Sequence, residues 1–244
     1  MIIQVTMLVW LFHMNFNLRC ALLILILTTS LIGKTNIHQD EFSIKKSIKS
    51  WIEYKDESLT RQIFDYSCGS ASLSTIFKYF YNINIEENDI LNHILESRGL
   101  NKNDKSSYED KDISLSFLDL AQYTETKGFK AIGLALDINS LSELQVPVIL
   151  FVKIRKSEHF TIFKNIDKNY VYLADPSFGN IKIKIFKFKE MFYQRKDLMY
   201  PGKVLAIVPI NDQEKLNINY SFTKIPKNFN LINENITNRI SIEN

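Results

Sequence analysis

After Pro147 the sequence changes texture, and that change limits the folds open to the chain more than any other feature. Five short apolar segments follow at close spacing: VILFVKI, HFTIFKNI, YVYLAD, IKIKIF and VLAIVPI. They are rich in β-branched and aromatic residues. The segment DKN between Ile166 and Tyr170, and PSFGN between Asp175 and Ile181, suit tight hairpin turns, so the run predicts an antiparallel sheet. Before Pro147 the period is helical. Leu73, Ile76, Phe77 and Phe80 fall at i, i+3, i+4 and i+7, one apolar stripe on a helix that opens at Cys68 and stops at Asn82. Residues 86–97 read as a second helix. Ser114 or Ser116 caps a third, with Leu118, Ala121 and Tyr123 partly buried, ending at Gly128. A strand from Phe129 to Leu136 and a short helix near Ser140 to Leu144 complete the front half. Helices first and strands after predict the α+β class, a helical half followed by an antiparallel β-sheet half.

Other patterns take ordinary structural roles. Phe77, Tyr79, Phe80 and Tyr81 read as core and rim, and the lysines at 182, 184, 187 and 189 as the solvated side of a strand and the start of a helix. With 45% hydrophobic and 23% charged residues, the 244-residue chain is of globular composition with one main domain. Thirty basic against 27 acidic side chains is too even a balance to imply a nucleic-acid partner. Two cysteines and four scattered histidines make no zinc pattern, and no GxxxxGK loop is present, so neither a metal nor an organic cofactor is implied.

The amino terminus differs in kind. Residues 21–32, ALLILILTTSLI, lie between Arg19 and Gly33-Lys34, the layout of a signal peptide, and fall short of the roughly 20 apolar residues of a membrane span. A second apolar run, MIIQVTMLVWLF, precedes it, and Met14 is the expected translation start. The alternative is an uncleaved membrane anchor built from both runs. Either way the rest is expected to be exported, to the periplasm or beyond the cell, with a possible tether to the inner membrane. Cleavage would remove Cys20 and leave Cys68 as the single thiol, and an odd thiol in an exported chain points to a reactive one. The expected organisation is 1–34 signal or anchor, 35–57 polar lead-in, 58–210 the main domain with 101–112 as a surface loop, and 211–244 a loosely packed polar tail.

A thiol attacks carbonyls as its thiolate, and a helix amino terminus favours negative charge. Cys68 opens the predicted helix, and the small residues Gly69, Ser70, Ala71 and Ser72 let another element approach the sulfur. Such a nucleophile needs a base, and the base an orienting group. His13 and His38 lie in or near the signal and lead-in, His93 within a helix, and His159 alone opens a predicted strand in the sheet half. Two antiparallel strands joined by a short turn bring their outer ends together, which puts Asp175 within reach of His159. Gln62 and the Cys68 backbone N–H could donate to an oxyanion.

The segments RQIFDYSCGSASLSTIF, HFTIF and YLADPSFGN together resemble the double-glycine cysteine peptidases, the bacteriocin-processing family of the papain-like clan, over about residues 58–209. The resemblance implies a papain-like fold, a Cys68–His159–Asp175 triad with Gln62 in the oxyanion hole, and a peptide or protein substrate, either a secreted protein or a leader peptide. The chain departs from many members in carrying Ser67 where they have an acidic residue before the cysteine. No transporter membrane domain or ATP-binding loop follows in the sequence, so the expected branch is the stand-alone exported one. A catalytically silent peptide-binding module with the same fold is the alternative, and acyl transfer to an amine instead of water would use the same residues.

Overall fold

The computed structural model describes residues 36–39, 42–45, 50–100, 113–210 and 216–225. The signal or anchor segment, the Met14 start, the loop at 101–112 and most of the tail lie outside the described residues. Two compact units divide the chain at Ser50 and Trp51. Within the first, strands β1 (Asn36–Gln39) and β2 (Phe42–Lys45) pair as an antiparallel ribbon.

The second unit begins with helix α1 (Trp51–Lys55), then α2 (Cys68–Thr75), which runs into a π turn over Ile76–Phe80. Helices α3 (Glu87–Ser97) and α4 (Phe117–Thr126) follow, then strand β3 (Phe129–Leu136) and the short α5 (Ile138–Ser142). Strands β4 (Val148–Ile154), β5 (Ser157–Ile166), β6 (Tyr170–Asp175) and β7 (Gly179–Lys184) come next, then helix α6 (Ile185–Phe192) and strand β8 (Gly202–Pro209). The sheet is antiparallel in the order β3-β8-β4-β5-β6-β7. Helices followed by a six-stranded antiparallel sheet is the α+β arrangement that the patterning predicts.

Both faces of the sheet are covered, which explains the unbroken apolar run of β4. Ile149 packs with Ile162, Ala174, Leu205 and Ile207 against the helices of the front half. Val148, Leu150 and Val152 pack on the opposite face with Phe188, Met191 and Phe192 of α6. A strand buried on both sides loses the polar alternation of a half-exposed one.

Helix α2 departs from the amphipathic stripe. Every residue from Cys68 to Thr75 is buried. Three of its four buried hydroxyls return to backbone carbonyls, Ser70 Oγ to Ser67 (2.9 Å), Ser74 Oγ to Ile85 (2.8 Å) and Thr75 Oγ1 to Ala71 (2.8 Å), while Ser72 Oγ has no partner among the described residues. The helical run ends at Asn82, whose φ is 53°.

Other details shift. Ser116 caps α4 in a reciprocal box with Asp119, and that start sets the face that turns inward: Leu120, Tyr123 and Thr124 are buried, while Leu118 is 66% exposed. The short helix begins earlier than expected because the Asp137 carboxylate accepts the Ser140 N–H at 2.9 Å. Strand β5 begins two residues before His159, since Ile154 pairs with Ser157 across a turn at Arg155-Lys156, where Arg155 has φ 57°. Part of the tail is anchored: Phe222 is buried, and Asn219 bonds the Phe80 and Tyr79 carbonyls at 2.7 and 3.0 Å.

The approach of α2 to β5 depends on Gly69. A Cβ there would stand 3.1 Å from Phe160 Cδ2 and 3.4 Å from Leu115 Cβ, with Phe160 itself 5% exposed and unable to swing away. Gly69→Val adds two further methyls into that contact and is expected to destabilise the chain by about 1–3 kcal/mol, the usual range for overpacking. A lower urea midpoint would show it, and an unchanged midpoint would mean that the helix and strand can part without cost.

Candidate active site

Three of the four residues singled out from the sequence meet in direct contact. Cys68 opens α2, where first-turn N–H groups have no partner within the helix. Its sulfur is buried and accepts the Phe160 backbone N–H at 3.5 Å. The imidazole of His159, the residue before Phe160, interacts with the same sulfur, which favours its charged form. The His159 Nε2 lies 3.0 and 3.1 Å from the two oxygens of Asp175, so Nδ1 is the ring nitrogen left for Cys68.

Asp175 reaches His159 through a detail of register. Between β5 and β6 the pairing slips between Phe163 and Asn165, leaving Lys164 as a bulge, and beyond it Ile162 faces Ala174. Carried one residue further, that register sets Asp175 across from Thr161, on the side of β5 that also carries His159. Without the extra residue, strand alternation would turn Asp175 to the other side.

Asp175 is 1% exposed, and its Oδ1 also accepts the backbone N–H groups of Ser177 and Phe178, both at 2.9 Å. A buried carboxylate is tolerable when it is paired and bonded in this way. The Phe178 ring stands beside the imidazole, centroids 6.3 Å apart.

Gln62 sits on the loop that leads into α2. Its Nε2 donates to the Phe64 carbonyl at 3.0 Å, and its Oε1 accepts the Ser177 hydroxyl at 2.6 Å. The same loop is sewn to the residues after Asp175 by Gln62 N–H to the Pro176 carbonyl (3.2 Å) and by the Arg61 guanidinium to the Ser177 carbonyl. Ser67, fully buried, bonds both the Phe64 N–H and the Phe64 carbonyl through its hydroxyl, at 3.0 and 2.8 Å. Sequence reasoning missed the contributions of Ser67 and Ser177. The only signal for Ser177 was its place in an Asp-Pro-Ser turn. The tie from Asn180 back to the carbonyls of Lys55 (3.0 Å) and Glu57 (2.8 Å) was also missed, and it joins α1 to β7.

Burial alone would lower the affinity of His159 for its proton. The hydrogen bond and charge of Asp175, with those of Cys68 behind them, outweigh it and raise the pKa from 6.5 to about 10. Among the described residues no group of three or more His, Cys, Asp or Glu side chains could hold a metal ion.

Comparison with known proteins shows the family. The model of the peptidase C39 family matches residues 56–199, more than half of the sequence, and the chain belongs to that family. It is 29% identical over 144 residues to the probable functional amyloid protease FapD of Pseudomonas fluorescens, covering 57% of this chain and 59% of the relative. The FapD of Pseudomonas aeruginosa is 28% identical over 149 residues, 59% of this chain and 61% of the relative. The match thus spans about three fifths of the length of these curated relatives. Among solved structures, the peptidase domain of Streptococcus ComA, a bi-functional ABC transporter, aligns with a TM-score of 0.47 at 18% identity, over 62% of this chain and 97% of that one. A double glycine motif protease from an AMS/PCAT transporter, in complex with the leader peptide, aligns at 0.45 and 21% identity, over 62% and 90%.

The raised His159 pKa makes stability depend on pH. Because the folded value of about 10 exceeds the ordinary 6.5, the stabilisation is complete below 6.5 and is lost as pH rises through about 10. Asp175→Asn should lower the urea midpoint at neutral pH and flatten its decline between these values. An equal decline in both proteins would show that the pair does not hold the proton.

Proposed function

We propose that this chain is a cysteine peptidase that hydrolyses a peptide bond through Cys68, His159 and Asp175, with Gln62 and the Cys68 N–H as oxyanion donors. The observation that carries the reading is that the imidazole bonded to the Asp175 carboxylate belongs to the residue next to Phe160, whose backbone N–H meets the Cys68 sulfur. The residues from 56 to 199, which include all four, also match the peptidase C39 family.

In the reaction, the Cys68 thiolate attacks the carbonyl carbon and the π electrons move to oxygen. The oxyanion formed takes hydrogen bonds from the helix start and from Gln62. As the intermediate collapses, the C–N bond breaks and the His159 imidazolium gives its proton to the leaving amine, leaving a thioester on Cys68. Neutral His159 then takes a proton from water, whose oxygen attacks the thioester. Collapse of this second intermediate breaks the C–S bond, the thiolate and imidazolium return, and the carboxylic acid product departs and gives its proton to the solvent. Asp175 keeps the ring oriented and stabilises its charged form.

The substrate in this proposal is an exported peptide or protein cleaved after two glycines. The support is the name of the transporter-derived protease that aligns with this fold, and the amyloid protease relatives add an exported amyloid-forming protein as a candidate. Export by residues 21–32, with the apolar segment retained as a membrane tether or removed, belongs to the same proposal. N-terminal sequencing of the cell-envelope form distinguishes retention from removal.

The test is cleavage of a quenched fluorescent peptide centred on Gly-Gly by the full chain. Cys68→Ala and His159→Ala are each expected to lower kcat/KM by at least about a thousandfold, as removal of a triad member does. Retained cleavage in Cys68→Ala would contradict the thiol mechanism. Replacing the two glycines by valines tests the substrate class, with loss of cleavage expected.

A further inference from the structure

Gln62 has a problem common to side-chain amides at a reacting centre: its oxygen and nitrogen are nearly the same size, and only the nitrogen can donate. An amide turned the wrong way would present a lone pair to an oxyanion. Two contacts set its direction. The Phe64 carbonyl can only accept, so the atom 3.0 Å from it is the Nε2. That leaves Oε1 on the other side, where the Ser177 hydroxyl donates at 2.6 Å. One Nε2–H is spent on Phe64, and the second remains for substrate.

Both contacts are themselves fixed. The Phe64 carbonyl is held by the hydroxyl of Ser67, the residue before Cys68. Ser177 is held by its own backbone N–H on Asp175 Oδ1, the carboxylate that holds His159. A chain of bonds therefore runs from Asp175 through Ser177, Gln62 and Phe64 to Ser67, the residue before Cys68. It crosses from the sheet half to the helical half, and Ser177 is its crossing point.

We propose that Ser177 is a positioning residue that locks the Gln62 amide with its nitrogen available to the oxyanion, so that the orientation of the base and of the oxyanion donor are set by one carboxylate. The inference rests on the peptidase reading above. It concerns the hydroxyl alone, because the Ser177 backbone bonds to Asp175 and Arg61 survive a side-chain change.

The test is kinetic, on the full chain with the Gly-Gly-centred peptide. Gln62→Ala removes a donor and should lower kcat by about a hundredfold or more. Ser177→Ala leaves the donor present but free to turn, and should lower kcat by about tenfold while KM and the thermal midpoint stay near wild type. Ser177→Thr keeps the hydroxyl and should restore kcat even if the alanine variant folds poorly. In a Gln62→Ala background, Ser177→Ala should cost nothing further, since a lock has no role without its bolt. If the Ser177 substitution costs the same factor with and without Gln62, the hydroxyl acts elsewhere and the inference falls alone. If Gln62→Ala leaves kcat unchanged, the oxyanion role of Gln62 falls and the inference with it.

Discussion

The site depends on how closely the start of α2 approaches β5. Gly69 lacks the atom that would hold the helix off Phe160, and the next residues are small enough for the helix to be buried all round. That approach brings the Cys68 sulfur against the Phe160 N–H and beside His159. A nucleophile from the helical half and a base from the sheet half are brought together by packing, with no covalent link between them. The hydroxyls of Ser70, Ser74 and Thr75, turned back onto carbonyls, lower the cost of burying a helix of such polar composition.

Asp175 is the second fixed point. Its surroundings supply donors from three directions, namely the imidazole, the Ser177 N–H and the Phe178 N–H, so a carboxylate with almost no exposure to water keeps a single orientation. The residues that follow it carry the structure outward. Pro176 and Ser177 bind the Arg61-Gln62 segment, and Asn180 binds the end of α1. The hairpin after Asp175 thus orients the base and stitches the two halves together. A change there would be felt in both halves.

Much of this was legible in the sequence, and the reasons differ by residue. His159 and Asp175 could be grouped because hairpin connectivity is a strong constraint and His159 is the one histidine of the sheet half, while Cys68 joined them through the resemblance carried by its segment. The side on which Asp175 faces was not legible. It depends on the bulge at Lys164, which nothing in KNI announces, and a one-residue slip reverses every side chain beyond it. Leu118 was misplaced because apolar periodicity gives a stripe without its phase, and the Ser116–Asp119 cap sets the phase. Ser177 was hidden for another reason: serine after Asp-Pro is ordinary turn chemistry, and its partner lies 115 residues away. Phe222 and Asn219 were hidden by the polar, aperiodic sequence around them.

The central claim is that these residues act as one thiol acyl-transfer centre, and the intermediate it requires is a thioester on Cys68. Rapid acid quenching of the full chain with the Gly-Gly-centred peptide, followed by intact-protein mass measurement, reads that intermediate directly. The account predicts a mass increase equal to the amino-terminal peptide fragment less water, mapped to Cys68 and absent in Cys68→Ala. Peptide cleavage by Cys68→Ala, with no adduct on either protein, would contradict it.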